Sequence, residues 1–503
     1  MLAATFQYVM QNGTLIAAVD LGSNSYRLEI GRFEHGQVRR SEYIKETVRQ
    51  GGGLDSSRNL TRDAMQRGWD CLARFGERLR GFRKSQVRAV ATQTLREARN
   101  RDEFLARAHQ VLGFPIDVIS GREEARLIYQ GVAHLLPQSD ERRVVVDIGG
   151  RSTEVILGTQ FDAQQMESYR VGSVAWSMRY FPQGQFTESA FDAAEVAAQA
   201  VLEEAELVYA HSKWDVAYGS AGTIGAVADI MSAAGGPEGE ITRDDLDWLR
   251  DALVSAGHTD KVRLAGLKDD RRPVLGGGVA VLRAVFNVLR IERMQSAEGA
   301  LRHGVLYDML DREQADTDVR STTVARLCAK FEVEIAQSTR VAKTACQLLR
   351  RLRSNDDPDE LLRQERKLGW AARVHEIGSA ISHSDYHKHG AYILDNTDAP
   401  GFAVPELHHL GLLVLGHRGK LRKLVVDFDD PVFVHQLICL RLAVVLCHAR
   451  RDPDIGGLQL AVSNRKVTLK LPPGWAKNYP QSTYLLKQEV ESWQKMPWSF
   501  VLA

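Results

Sequence analysis

The run LIAAV at residues 15–19 is apolar, contains β-branched positions and stops at Asp20 before Gly-Ser-Asn-Ser, the pattern of a buried strand entering a tight turn. The segment YRLEIGRF then alternates apolar and polar positions, which predicts a half-buried partner strand and a hairpin. Helical spacing follows over 61–84, a strand over 87–92, a helix over 95–112, a short strand over 115–120 and a helix from 123 to 136. After SDERR the order recurs: VVVD ends at Asp147, Ile-Gly-Gly-Arg-Ser makes the turn, and TEVILG returns. A third glycine turn over 218–225 follows the strand VAYG, and a fourth over 276–278 opens the helix VAVLRAVFNVL. A helix over 298–310 closes this region. Beyond residue 310 the spacing is helical, with a polar break at SNDDPD, until the alternating LQLAVS and KVTLKL and a final helix over 483–494. The expected organisation is an α/β domain over 13–136, a second over 137–310, a helical domain over 311–458 and a small α+β domain over 459–503.

The recurrence is the most informative of these patterns. Asp20-Leu-Gly-Ser-Asn-Ser25 and Asp147-Ile-Gly-Gly-Arg-Ser152 share D-[LI]-G-[SG]-x-S, and each lies between an apolar strand and an alternating one. Two unrelated turns needing glycine would not share that context. The expectation is a duplicated α/β domain whose two loops face one another across a cleft.

Length and charge bound the function. At 503 residues the chain exceeds a single hydrophobic core. With 65 Lys+Arg against 64 Asp+Glu, net charge +1, it is neither a globally basic nucleic-acid binder nor a polyacidic disordered chain. Any grip on an anion must therefore be local. Five cysteines without a CxxC pair predict reduced thiols, no zinc knuckle and a cytoplasmic setting. No apolar run approaches the roughly 18 residues of a membrane span, and the first twelve residues lack the basic start and apolar stretch of a leader.

A strand running into a glycine turn aims backbone N–H groups at one spot, and such nests hold phosphate oxygens. Gly22, Ser23, Asn24 and Ser25 form one candidate nest, Gly149, Gly150, Arg151 and Ser152 the other, and Gly222 and Thr223 of the third turn join them. Asp20 and Asp147 cannot serve by binding phosphate, because like charges repel. Holding Mg²⁺, which prefers few carboxylates plus phosphate oxygens, is a natural task for both and for Glu154, against a simpler reading as turn caps. A carboxylate of Gly-Arg-Glu-Glu-Ala at a strand-to-helix turn, Glu123 or Glu124, is a candidate general base, although acidic residues in a first helical turn also serve the helix dipole. Arg96 is a candidate phosphate clamp.

Taken together, DLGSNS, ATQTLRE, ISGREEARLIYQGV, VVDIGGRSTEVILG, YGSAGTIGA and EGALRHGVLYDML resemble the exopolyphosphatase/guanosine pentaphosphate phosphohydrolase (Ppx/GppA) family in order and spacing, and RVHEIGSAISHSDYHKHGAYIL resembles its long form. The resemblance implies two actin-like α/β domains (the ribonuclease H-like ASKHA architecture) with a cleft between them, then an α-helical HD-like domain and the small tail. It implies Mg²⁺-dependent release of terminal orthophosphate from polyphosphate, or of the 5′-terminal phosphate of pppGpp to give ppGpp, with a monovalent cation such as K⁺ as a further candidate ion. It places Glu124 as base, Arg96 as clamp, Asp147 and Glu154 on Mg²⁺ or water, and a homodimer as the assembly.

Two departures stand out. Arg151 replaces the family's third glycine, so either the loop is reshaped or the guanidinium adds a phosphate contact. In the HD-like domain His375 is followed by Glu376 rather than Asp, which favours a metal-free, polyanion-binding domain. The second half tips slightly basic, with clusters at Arg418, Lys420, Arg422 and Lys423 that His387, Lys388 and His389 can join as a polyanion track. Competing readings are an actin-fold kinase or ATPase, using residues 218–225 for adenosine, and a non-catalytic (p)ppGpp or polyphosphate sensor with a loop spoiled by Arg151. Neither nucleic acid nor membrane is an expected partner.

Overall fold

In the computed structural model β1 (Leu15–Leu21) sends alternate side chains to two different cores. Ala17, Val19 and Leu21 enter one and Ile16 and Ala18 the other, as the two-residue period of a strand requires. Burial on both faces explains why the strand reads as an unbroken apolar run. The structure describes residues 11–34, 37–137, 139–313, 318–354 and 356–503. The segment read for a leader lies mostly outside them.

The chain divides into a first unit ending at Asp318 and a second spanning Val319–Ala503. In the first unit β1 pairs antiparallel with β2 (Ser25–Glu34), which pairs with β3 (Gln37–Thr47). On its other side β1 runs parallel to β4 (Val87–Ala91), and β4 parallel to β5 (Ile116–Val118). The second sheet repeats this plan. β6 (Arg142–Ile148) pairs antiparallel with β7 (Thr153–Thr159), β7 with β8 (Asp162–Tyr169), and β6 runs parallel to β9 (Val216–Ser220). β11 (Arg293–Ser296) then lies beside β9, and β10 (Glu240–Thr242) forms the edge. The strand orders 3-2-1-4-5 and 8-7-6-9-11 correspond element by element, so the sequence repeat is a repeat of topology.

Helices α1 (Arg62–Arg78), α2 (Gln93–Glu97) and α3 (Arg101–Leu112) belong to the first lobe, where α1 and α3 cover the outer face of its sheet. The second sheet is covered by α5 (Ser173–Tyr180), α6 (Glu188–Leu202), α7 (Ala205–Val208), α8 (Ala221–Ala233), α9 (Arg243–Ala256) and α10 (Leu275–Leu289). Between the sheets lie α4 (Gly121–Leu135) and α11 (Leu301–Glu313). One core joins Ile16, Ala18 and Val90 of the first sheet through Ala125, Ile128, Leu301 and Val305 to Val145 and Ile156 of the second.

The second unit is helical, with α12 (Val319–Lys330), α13 (Ile335–Leu352), α14 (Pro358–Arg373), α15 (Tyr386–Asp395), α16 (Val404–Gly416) and α17 (Pro431–Leu446). A sheet of β12 (Gln459–Ser463), β13 (Lys466–Lys470) and β14 (Ser499–Leu502), with α18 (Trp475–Asn478) and α19 (Pro480–Trp493), follows. Leu413 and Leu437 of the helices share one core with Val467, Trp493 and Phe500. The buried Arg441–Glu489 pair at 2.6 and 2.7 Å ties α17 to α19.

Several expectations change. The helix expected over 95–112 breaks at 98–100, because the Asn100 side chain pairs with both the N–H and the carbonyl of Leu60. Residues 276–278 are the first turn of α10 rather than a loop, and the Gly277 N–H donates to Ser177 Oγ of the adjoining α5. The chain ends on β14, parallel to β13, beyond the last expected helix. Among the described residues one window, Arg272–Leu289, is long and apolar enough to cross a membrane, and 67% of it is buried in the lobe core.

Candidate functional site

The two glycine turns meet tip to tip. A Cβ on Gly150 would stand 2.9 Å from Ser23 Cβ and 3.5 Å from Asn24 N, so only glycine lets the loops approach this closely. The N-terminal N–H groups of α5 bond the second turn's carbonyls: Ser173 to Gly149 at 3.0 Å, and Val174 and Ala175 to Gly150 at 2.9 and 3.0 Å. A trans peptide points its N–H opposite to the preceding C=O. The N–H groups of Gly150 and Arg151 are therefore turned away from α5. In the first turn Gly51 N and Arg49 N bond the Ser23 and Asn24 carbonyls at 2.7 and 2.8 Å, which orients the N–H groups of Asn24 and Ser25 in the same way. Asn24 Nδ2 and Ser25 Oγ are buried without a hydrogen-bond partner. Arg151 is absent from the left-handed residues, so the loop accommodates it without backbone strain.

Strand register places the acids. Asp20 lies opposite Arg27 across the first hairpin, and Arg27 Nη1 donates to Asp20 Oδ2 at 3.0 Å. At the equivalent positions of the second hairpin Asp147 lies opposite Glu154, so acid faces acid. The third carboxylate comes from α4, whose Ser120 cap accepts from Glu123 N at 3.1 Å and fixes the first turn bearing Glu124. Arg96 of α2 donates to Glu124 Oε2 at 2.7 Å and to the Ile119 carbonyl at 2.9 Å. Ser168 of β8 donates to Glu154 Oε1 at 2.7 Å. Asp20, Glu124, Asp147 and Glu154 are all buried. Burial and the neighbouring Glu124 and Asp20 carboxylates push Asp147 up to about 7, against the Ser220 hydroxyl and Arg27. Burial, then Glu124 and Asp147, raise Glu154 well above its ordinary value, and burial raises Glu124 against the pull of Arg96. Clustered, desolvated carboxylates with shifted pKa values are a common mark of functional sites.

Residues 36–313 match the model of the Ppx/GppA phosphatase family. The chain belongs to that family. Residues 319–491 match its domain III. Similar solved structures include an exopolyphosphatase from Cytophaga hutchinsonii, 23% identical with a TM-score of 0.54 over 59% of this chain and 98% of that one. A protein described as exopolyphosphatase-like is 24% identical, with a TM-score of 0.54 over 59% of this chain and 98% of its own. The Aquifex aeolicus PPX-GPPA enzyme is 24% identical, with a TM-score of 0.50 over 58% and 99%. These likenesses show the fold: two actin-like domains, followed here by the helical third domain.

The third turn of this Ppx/GppA chain carries backbone strain, with Ala221 at φ +69°. Thr223 Oγ1 donates to the Ile148 carbonyl at 3.1 Å, tying α8 to the end of β6. The Arg271 guanidinium lies against Gly222, where a Cβ would meet Nη2 at 2.0 Å. Sequence pattern did not single out Arg27, Gln93, Glu97, Ser168 or Arg271. The signal for Arg27 was available: it stands seven residues after Asp20, as Glu154 stands seven after Asp147. Gln93 contacts Arg96 and Glu97 at helical spacing, whereas Glu97 meets Arg151 and Arg271 meets Gly222 through long-range contacts that no local spacing encodes.

In the second unit Arg418, Lys420, Arg422 and Lys423 are exposed. Arg418 lies 4.7 Å over the Tyr386 ring, and Lys388 pairs with Asp385 at 2.8 Å. His387 and His389 are half-buried. His375 is buried with Nδ1 at 2.7 Å from the Ala372 carbonyl, and Glu376 pairs with Arg450. Among the described residues no group of three or more His, Cys, Asp or Glu side chains is placed to hold a metal ion by itself.

Proposed function

We propose that this chain is an exopolyphosphatase: it hydrolyses the terminal phosphoanhydride of inorganic polyphosphate, releasing orthophosphate. One observation carries the reading. Three buried carboxylates, Glu124, Asp147 and Glu154, converge beside two facing nests, and Arg96 is bonded to only one of them, Glu124. The terminal phosphate fits the N–H groups of Asn24, Ser25, Gly150 and Arg151, with Asn24 Nδ2 and Ser25 Oγ completing the shell. Glu124 accepts a proton from the attacking water as the new O–P bond forms and the bridging P–O bond breaks, leaving a chain one phosphate shorter. Arg96 orients Glu124 and offers positive charge to the equatorial oxygens, since this chemistry depends on positioning and charge neutralisation.

The hard oxygen donors Asp147 and Glu154 suit Mg²⁺, which takes few carboxylates and completes its shell with water and phosphate oxygens. When bound there it would supply neutralisation of the developing charge. All five cysteines are unpaired, in keeping with a reducing cytoplasm. The deciding experiment compares kcat/KM for orthophosphate release from long-chain polyphosphate and from pppGpp, with and without Mg²⁺. Polyphosphate is expected to be preferred and Mg²⁺ required. A preference for pppGpp would give the pppGpp 5′-phosphohydrolase reading instead, and no release from either would sink both.

Two further outcomes follow from the geometry. An acid whose folded pKa lies above its unfolded value is destabilising once both states are ionised, and neutral in effect below the unfolded value. Without divalent cation, Asp147→Asn is therefore expected to raise the stability of the first unit at pH 8 by about 1–4 kcal/mol. The gain should shrink through pH 7 and vanish near pH 4, read as the unfolding midpoint in urea. Added Mg²⁺ should stabilise the parent but not the variant.

The second outcome concerns the exposed basic cluster. Replacing Lys420, Arg422 and Lys423 together with Ala should raise KM several-fold for long-chain polyphosphate at low salt and leave KM for pppGpp unchanged. The difference should fade as salt rises, because each phosphate contact contributes through counterion release. An unchanged salt slope would remove this cluster from the substrate's path.

A further inference from the structure

Arg151 stands in the second lobe's loop, yet its guanidinium is bonded to the first lobe. Nη2 and Nε donate to Glu97 Oε2 at 2.7 and 3.1 Å, and Nη1 donates to the Gly51 carbonyl at 3.0 Å. Both side chains of the pair are largely buried, at 20% and 13% exposure. Glu97 accepts through its other oxygen from Gln93 Nε2 at 2.6 Å. Gln93 Oε1 accepts from Arg96 Nη2 and Nε at 2.7 and 3.0 Å, and Arg96 Nη1 reaches Glu124 at 2.7 Å. An unbroken run of hydrogen bonds therefore joins Gly51, Arg151, Glu97, Gln93, Arg96 and Glu124.

We propose that Arg151 is a positioning residue that clasps the two lobes through Glu97 and Gly51 and, through Glu97 and Gln93, fixes the guanidinium of Arg96 against Glu124. The inference rests on the proposed hydrolytic role of Glu124. The physical argument is a competition for Arg96. Glu97 is one residue from Arg96, and a buried carboxylate without its own cation draws the nearest guanidinium. Arg151 gives Glu97 a cation with two donors on Oε2, so Gln93 can present its carbonyl to Arg96, and Arg96 keeps its Nη1 for Glu124. Side chains linked in this way are coupled, and their deletions do not add. The substitution of the family's third glycine then leaves the nest intact and adds a tie between its two halves.

The test uses the full chain carrying Arg151→Met, Glu97→Gln or both, with steady-state orthophosphate release from long-chain polyphosphate and pppGpp. Each single variant is expected to lower kcat by about 10- to 100-fold, the range for small misplacements of a reacting group, with KM changed little. The double variant should be no slower than the slower single one. The acidic limb of kcat should move to higher pH, since Glu124 loses part of the cation that favours its ionised form. Arg151→Lys, which keeps one charged contact, should recover part of the rate.

A tenfold rise in KM for Arg151→Met, with kcat and the pH profile unchanged and Glu97→Gln silent, would make Arg151 a direct phosphate ligand and overturn the clasp. Additive losses would also overturn it. Amide hydrogen exchange separates this inference from the reading it rests on. Residues 49–53 should exchange faster in Arg151→Met than in the parent whether or not either substrate is hydrolysed, and unchanged exchange would rule out the tie.

Discussion

Glu124→Gln is expected to lower kcat for orthophosphate release by about 10²–10⁴-fold, the usual contribution of a positioned general base, with KM and the unfolding midpoint close to those of the parent. Glutamine keeps the size of the side chain and still accepts from Arg96 Nη1, so the 2.7 Å contact survives while the proton acceptor is lost. The site is built to keep that acceptor available. Burial raises the Glu124 carboxyl against the pull of Arg96, which makes it a better proton acceptor than an exposed glutamate. Stopped assays with both substrates, beside a circular dichroism melt, separate loss of chemistry from loss of fold. Full activity of Glu124→Gln on polyphosphate and pppGpp would remove Glu124 from the mechanism. Relocation of the base to Asp147 or Glu154 would then have to be tested by their own amide variants.

What could be read from the sequence was what local order determines. The apolar runs 15–19 and 144–147 read as buried strands because both faces of β1 and β6 enter cores, and the D-[LI]-G-[SG]-x-S turns read as nests because strand, turn and return strand are contiguous. Asp20, Asp147 and Glu154 could be picked out for the same reason, whereas Glu124 and Arg96 were assigned only through the family resemblance. β8 was missed because its sequence, DAQQMESY, lacks an apolar face. Residues 276–278 looked like a loop because glycine marks loops far more often than tight packing of one helix on another. The contacts of the Arg151 side chain could not be read, since its partners Glu97 and Gly51 are 54 and 100 residues away. No spacing rule reaches that far, whereas the duplicated topology itself was already present in a six-residue pattern.

Asp308→Ala is expected to destabilise the first unit by about 3–5 kcal/mol, the penalty for stripping the partner from buried charge. Asp308, on α11, accepts from Arg88 of β4, from Arg126 of α4 at 2.5 Å and from Arg312 at 2.5 Å. Burial pushes its carboxyl up, but Arg126, Arg312 and Arg88 outweigh that and hold it well below the usual carboxylate range. Arg88 Nε and Nη2 have no hydrogen-bond partner even with Asp308 present, so its removal leaves that guanidinium with only longer contacts to Glu123 and Asp117. Asp308→Asn, which preserves acceptor geometry but not charge, should lie between the alanine variant and the parent. Because the chain has two units, the measurement is the first transition in urea, followed by a probe assigned to residues 11–318. Activity should fall further than the folded fraction alone predicts. Arg126 links Asp308 to Glu123, bonding it at 2.8 and 2.9 Å, and Glu123 is the residue next to Glu124 in the first turn of α4. Loosening this network moves the base relative to both nests, and a shift of about 1 Å there is enough to lower the rate 10²-fold. An alanine variant with an unchanged midpoint and unchanged kcat would show that packing between the sheets, through Ala125, Ile128 and Val305, holds α4 in place without these charges.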